Sequence, residues 1–261
     1  GPQGEALSKR LGTLSLRDLR AQGVEPMALL SHMARLGSNQ PFELATSIDE
    51  LVDKLDRALE AGINFLDTAE MYPVNPISAE TIGRTEEIIG HWLAQRGTRE
   101  RIVLASKIAG PGEDWLPHIR AGKTRFNRDH IEAALNASLK RLQTDYLDLY
   151  QLHWPERNAN FFGQLGFSPA DRDDFTPIAE TLQALDVQVR AGKIRHIGIT
   201  ETSPHDPEQR MLRTALQNPA WEAAMFAIHM LHQGAMRDVL PRTQANGVGT
   251  MAMFVVRNIF S

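Results

Sequence analysis

The sequence predicts an α/β protein built on a parallel sheet, and three observations carry that reading. Short apolar segments, suited to strands buried on both faces, recur from Asn64 to Val255. Between them lie segments with apolar residues at helical spacing, so that strand and helix alternate in the way parallel strands with crossover helices require. The chain has 261 residues, 42% of them hydrophobic, which is enough to bury a full core in one large domain or two smaller ones.

Taken in order, residues 1 to about 46 read as helical and polar-amphipathic. Ser15 is placed to cap a short helix closed by Gly23, and Pro26 stands where a first helical turn tolerates proline, opening a helix from Met27 to Leu36. Ser47-Ile48-Asp49-Glu50 is a capping box, and Ile48, Leu51, Val52, Leu55 and Leu59 continue it at helical spacing until Gly62 ends the helix. Strands are then expected at Asn64–Asp67, Ile102–Lys107, Tyr146–His153, Ile194–Thr200, Ala223–Ile228 and Val248–Val255. The helices between them are Thr85–Arg96, Arg128–Leu142, Pro177–Ala191 and Pro207–Gln217, with a last one from Ala235 that Pro241 kinks. The third is the best defined. Thr176 is its cap, Pro177 its first position, Ile178, Leu182, Leu185 and Val189 its inward stripe, and Gly192 its end.

Composition narrows the function classes. The net charge is −4 with both signs spread along the chain, which suggests neither a nucleic-acid surface nor a membrane surface. There is no cysteine, so disulfides, thiol nucleophiles and thiolate metal sites are excluded, no metal is expected, and a reducing, cytoplasmic setting fits. No apolar run approaches the roughly 18 residues of a transmembrane span.

Two connections exceed ordinary loop length: Ile108 to Phe126, and Trp154 to Phe175. Both leave the same end of the sheet, and both carry aromatics, Trp115 and Phe126 in one and Trp154, Phe161, Phe162 and Phe167 in the other, which can wall an apolar pocket. The first three strands end in Asp67, Lys107 and His153, with Tyr72 just beyond the first. Strands ending side by side would gather these groups at the C-terminal face, where barrel proteins keep their sites. A strand-end lysine or aspartate also serves as a structural salt bridge, and a histidine before Trp154-Pro155 can fix a loop. Together, though, the four make a proton donor with its tuning shell. Lys107 is expected to lower the Tyr72 pKa by favouring the phenolate, Asp67 to hold Lys107, and His153 to orient a carbonyl oxygen.

The stretches GINFLDTAEMYP, IVLASK and ALNASLKRLQTDYLDLYQLHWP resemble the aldo-keto reductase superfamily. The resemblance covers about residues 53 to 261 and is strongest over 53 to 200. It implies a (β/α)8 TIM-type barrel, NADPH as cofactor, small aldehydes or ketones as substrates, and a catalytic tetrad at Asp67, Tyr72, Lys107 and His153. By the same resemblance Tyr72 protonates the carbonyl oxygen as hydride arrives, Lys107 and Asp67 tune it, and His153 positions the substrate. Nicotinamide contacts would fall at Thr200 and Glu201, where the family usually has Ser-Asn, at Met225, and at Met253 or Phe254. The first and last barrel strands are expected to be absent, and with them the region that grips the adenosine 2′-phosphate, so that NADPH would bind weakly.

Residues 1 to 52 resemble instead bacterial glutamyl-tRNA synthetases around Leu7-Ser8-Lys9-Arg10. The chain thus reads as a mosaic, chimeric in character, with residues 1–52 as a synthetase-like helical segment and 53–261 as a partial reductase barrel. Three functions follow: an NADPH-dependent carbonyl reductase; a catalytically impaired partial barrel that binds no cofactor; and a tRNA-associated module in the first 52 residues. Open sheet edges would favour self-association.

Overall fold

The computed structural model describes residues 47–74, 77–113, 115–157, 174–201, 209–228 and 233–255. The chain divides into two compact units, Gly1–Ile63 with Arg257–Ser261, and Asn64–Val256. In the first, the described residues form helix α1 (Ile48–Glu60). The Ser47 hydroxyl accepts from the Glu50 amide at 3.2 Å, as the capping box predicts. Asp49 and Glu50 face the positive end of the helix dipole and Arg57 its negative end. The helix runs without a break through positions 52 and 53, where the two sequence resemblances meet. The helices expected before Ser47 lie outside the described residues.

The second unit follows the predicted alternation. Its elements are β1 (Phe65–Asp67), α2 (Arg84–Arg96), β2 (Val103–Ile108), α3 (Arg128–Leu142), β3 (Leu147–Leu152), α4 (Ile178–Arg190), β4 (Ile194–Glu201), α5 (Arg210–Ala215), β5 (Ala223–Ala227), α6 (Gly234–Asp238), α7 (Leu240–Ala245) and β6 (Gly249–Met253). All six strands are parallel and lie in sequence order, β1-β2-β3-β4-β5-β6, forming a curled half-barrel. The fold is therefore α/β, an incomplete barrel of the TIM type among the described residues.

Register decides which side chains share a face, because paired residues in a parallel sheet lie at the same phase of the pleat. Asp67 pairs with Ala105, Lys107 with Gln151, Gln151 with Gly198, and Thr200 with Met225. These residues line the concave face. The alternate residues turn outward to the helices, where most of the core lies: Leu104, Ile108, Tyr150, Ala224 and Phe226 are buried there. The concave face is more open, with Phe65 39% and Val103 37% exposed.

One polar group anchors the outer layer. Glu86 of α2 is buried, and it accepts from Ser106 of β2 at 2.5 Å and from Arg141 of α3 at 2.7 Å. That arrangement needs α2 and α3 to approach closely at Gly90. A Cβ there would sit 2.1 Å from the Arg141 carbonyl oxygen and 2.8 Å from the Leu142 carbonyl carbon. Helix α3 begins as its sequence requires, with the Asn127 side chain accepting from the His130 amide at 3.0 Å.

Several boundaries differ from expectation. Thr176 does not cap α4. Its amide donates to Glu156 Oε1 at 3.0 Å, and Pro177, with ψ at 141°, occupies the cap position rather than the first helical one. The buried Glu156 carboxylate, which also accepts from the Phe126 amide at 2.7 Å, anchors the chain just before the helix, which opens one residue later than expected with no side-chain cap. Helix α5 is shorter than Pro207–Gln217; residues 202–208 lie outside the described set. The last predicted helix is two, α6 and α7, broken at Val239 two residues before Pro241. Tyr146 lies before β3, its ring between the guanidinium groups of Arg99 and Arg195 at 3.8 and 4.1 Å.

Candidate active site

The C-terminal ends of β1, β2 and β3 bring the four tetrad candidates together on the concave face. Lys107, only 1% exposed at its side chain, donates to Asp67 Oδ2 at 2.5 Å and to the Thr68 carbonyl at 2.8 Å. Asp67 keeps 25% of its side chain exposed, and its other oxygen accepts from Gln151 Nε2 at 3.0 Å. Tyr72 Oη lies 3.3 Å from His153 Nε2, and the Lys107 ammonium sits 5.5 Å from the Tyr72 ring centroid. His153 follows β3 but remains in the ladder, its amide donating to the Ile108 carbonyl at 3.0 Å.

Tyr72 is held by a small apolar cluster of Ala69, Met71, Ala109, Leu116, Ile119 and Trp154, against which its ring packs. Three of those residues, Ala109, Leu116 and Ile119, come from the long connection after β2, so this loop is part of the site rather than an excursion from it. Glu70 fastens it. The buried carboxylate accepts from the Ala109 amide at 2.6 Å, and its two oxygens accept from Arg120 at 2.5 and 3.0 Å. Trp115 and Trp154 lie 5.3 Å apart, forming part of the predicted aromatic wall. Trp154 donates to the Pro111 carbonyl at 2.9 Å and rests 4.9 Å from the His153 ring. It needs Gly110 beside it, since a Cβ there would come within 2.3 Å of its indole nitrogen. Phe126 is buried; Phe161, Phe162 and Phe167 lie outside the described residues.

The electrostatics correct one expectation. Tyr72 is not lowered by its lysine. Burial, and after it the negative charge of Asp67, push the phenol up to about 12. The lysine fails to pull it down because Asp67 lies against the ammonium and cancels much of its field. Lys107 itself is lowered by burial, with Asp67 opposing the shift. His153 is held well below its ordinary range by burial and by Lys107, so it is neutral at neutral pH. Its Nδ1 is buried without a partner among the described residues. A proton on Nε2 therefore leaves only an unpaired acceptor at Nδ1, directs an N–H at Tyr72 Oη, and frees the phenol proton to be donated elsewhere.

Of the five cofactor candidates, Thr200, Met225 and Met253 lie in register on the concave face with the tetrad. Glu201 faces the other way. It pairs with the buried Phe226, is itself buried, and accepts from the Leu212 amide of α5 at 2.9 Å. A cleft of about 200 Å³ lined by Ile199, Glu201, Met211 and Leu212 occupies that helix side. Phe254 lies just past β6 with φ at 60°. Beside the tetrad on the concave face Met225 and Met253 are half-buried, while Thr200 is buried and its hydroxyl donates to Gln151 Oε1 at 3.4 Å, so the two thioethers rather than the hydroxyl suit the apolar face of a nicotinamide ring. Sequence reasoning missed Gln151 and the Glu70–Arg120 clamp. Gln151 had a signal, as a polar residue inside an apolar strand and two positions before His153, hence on its face.

Comparisons with known proteins bear on the family and the fold. The model of the Aldo/keto reductase family matches residues 34–260, beginning inside the segment that resembles a synthetase. Over 147 residues the chain is 50% identical to Protein tas of Escherichia coli (strain K12), a match covering 56% of this chain and 42% of that protein. Over 56 residues it is 75% identical to Glutamate–tRNA ligase 2 of Jannaschia sp. (strain CCS1), covering 22% of this chain and 12% of the ligase. A crystal structure of an aldo/keto reductase from Klebsiella pneumoniae in complex with NADP and acetate is similar at a TM-score of 0.55 and 28% identity, covering 81% of this chain and 59% of that one. The chain thus spans about half the length of the reductase relatives it matches.

Proposed function

Since the chain belongs to the aldo/keto reductase family, we propose that it reduces a small aldehyde or ketone with NADPH, using Tyr72 as general acid. The observation that carries this reading is the convergence of Tyr72, His153, Lys107 and Asp67 on one face, with contacts of 2.5 Å between Lys107 and Asp67 and 3.3 Å between Tyr72 and His153. When bound, NADPH supplies the hydride. Thr200, Met225 and Met253 would hold its nicotinamide end, and Phe254 follows Met253 in sequence. A carbonyl oxygen accepts the phenol proton from Tyr72 and a hydrogen bond from His153, which lowers the cost of the negative charge developing on that oxygen. Lys107, kept in place by Asp67, then stabilises the phenolate left behind. Trp115 and Trp154 supply apolar surface that displaces water beside the oxygen.

The test is a Tyr72→Phe substitution. NADPH oxidation with an aromatic aldehyde is expected to disappear while circular dichroism and thermal unfolding stay close to those of the parent chain. Retained turnover would sink the reading.

A second reading, a barrel-derived core that binds no cofactor, has one observation in its favour. The Glu201 carboxylate is committed to the Leu212 amide on the helix side, away from the tetrad. Titrating NADPH while following nicotinamide fluorescence separates the two, because a dissociation constant below about 1 mM supports the enzyme and no binding supports the second. The same proposal divides the chain at residues 52 and 53, assigns the reductase chemistry to residues 53–261 and no nucleic-acid partner to residues 1–52, sets the protein in the cytoplasm, and includes self-association through the outer strands.

A further inference from the structure

Gln151 stands mid-strand in β3, fully buried, with both ends of its amide engaged. Its Nε2 donates to Asp67 Oδ1 at 3.0 Å, while Lys107 holds the other carboxylate oxygen at 2.5 Å. Its Oε1 accepts from Thr200 Oγ1 at 3.4 Å. The line of contacts crosses four consecutive strands. Because β2 lies between β1 and β3, Gln151 reaches past its own register partner, Lys107, to meet Asp67. The amide orientation is set by chemistry at each end, since a carboxylate accepts only from the nitrogen and the threonine hydroxyl donates only to the oxygen.

We propose that Gln151 is a positioning residue for carbonyl reduction: it holds Asp67 against Lys107 and, through Thr200, ties that pair to the part of the concave face where the nicotinamide ring is expected. This rests on the reductase reading above. The physical need is specific. Asp67 is the most exposed member of the charged pair, and a carboxylate with one oxygen open to water can rotate away from its partner. Lys107 is almost fully buried and, among the described residues, donates besides Asp67 only to the Thr68 carbonyl. If Asp67 rotates, the buried Lys107 loses the partner that offsets its desolvation and shifts toward the neutral amine, which cannot stabilise the tyrosinate that proton donation creates. The groups facing the Gln151 amide are Asp67 from β1, Lys107 from β2 and Thr200 from β4, with His153 two positions along its own strand.

Two variants test this with NADPH and an aromatic aldehyde. Gln151→Leu keeps the volume and removes the donor, and kcat is expected to fall about 100-fold while the KM for NADPH changes less. Gln151→Glu separates positioning from packing. As a carboxylic acid it donates O–H to Asp67 as the amide donates N–H; as a carboxylate it repels Asp67. Its kcat is therefore expected to stand near the parent value at low pH and to fall through a new ionisation that the parent profile lacks. A Gln151→Leu enzyme with parental kcat, or a Gln151→Glu profile of parental shape, overturns the proposal. If the parent chain itself turns nothing over, the reductase reading falls instead, and the clasp is read without catalysis. Solvent exchange of the Gln151 side-chain amide protons, followed by ¹⁵N NMR, is expected to be slow in the parent and fast in Asp67→Ala. Equal exchange rates in the two overturn the clasp.

Discussion

At Tyr72 two opposing influences meet, and burial decides between them. A phenol beside a lysine in water would lose its proton more readily. Here the lysine is already neutralised by Asp67, and the ring sits on the cluster of Ala69, Met71 and Trp154, so the proton is held up to about 12. Because the folded value lies above the unfolded one, the folded chain keeps this proton over a range in which the unfolded chain has lost it. The stability it contributes is full below about pH 10 and is lost as pH rises through about 12, a swing of about 3 kcal/mol. Urea midpoints measured from mildly to strongly alkaline pH should fall more steeply for the parent than for Tyr72→Phe; parallel slopes would refute the assignment. That Asp67, Tyr72, Lys107 and His153 come together was legible because each falls at or just beyond the end of one of the first three expected strands. The Tyr72 shift was not, because it depends on distances between groups that the chain brings together from 40 residues apart, as with Lys107 and Asp67. Glu201 illustrates a subtler limit. Adjacent strand residues face opposite sides, so Thr200 and Glu201 cannot both meet one ligand from within β4, and register settles which does.

At the scale of elements, the contact between α2 and α3 carries more weight than its length suggests. It brings Arg141 onto Glu86, and Glu86 onto Ser106, the residue next to Lys107. Gly90→Ala should improve the intrinsic helix propensity of α2 by about 1 kcal/mol. The new Cβ, however, meets backbone atoms of α3 rather than a flexible side chain. The clash therefore wins, and a net loss of about 1–3 kcal/mol is expected, read as a lower urea midpoint. A midpoint at or above the parent value would show that the helices separate freely. Helix and strand identities were readable from apolar spacing, and so were the Ser47 cap and the break in the last helix. The Thr176 cap was misread by one residue: Pro177 holds the cap position, and the Thr176 amide is held by Glu156, 20 residues away in sequence, where local pattern gives no warning.

For the whole molecule, the telling fact is the order of the strands. Among the described residues β1 pairs only with β2 and β6 only with β5, so each presents one free edge, and Thr250 and Ala252 of β6 are exposed. Free parallel edges recruit further strands. Sedimentation velocity is expected to show mass rising with concentration, less so for Ala252→Lys, which puts a charge beside the β6 edge. A monomer at every concentration would refute it. The same order governs how the chain is made. Each strand after β1 pairs with the one synthesised immediately before it, and among the described strands none waits for a partner beyond its neighbour in sequence. The architecture can thus grow in the direction of translation, one strand and one helix at a time, with each finished pair serving as the template onto which the ribosome delivers the next.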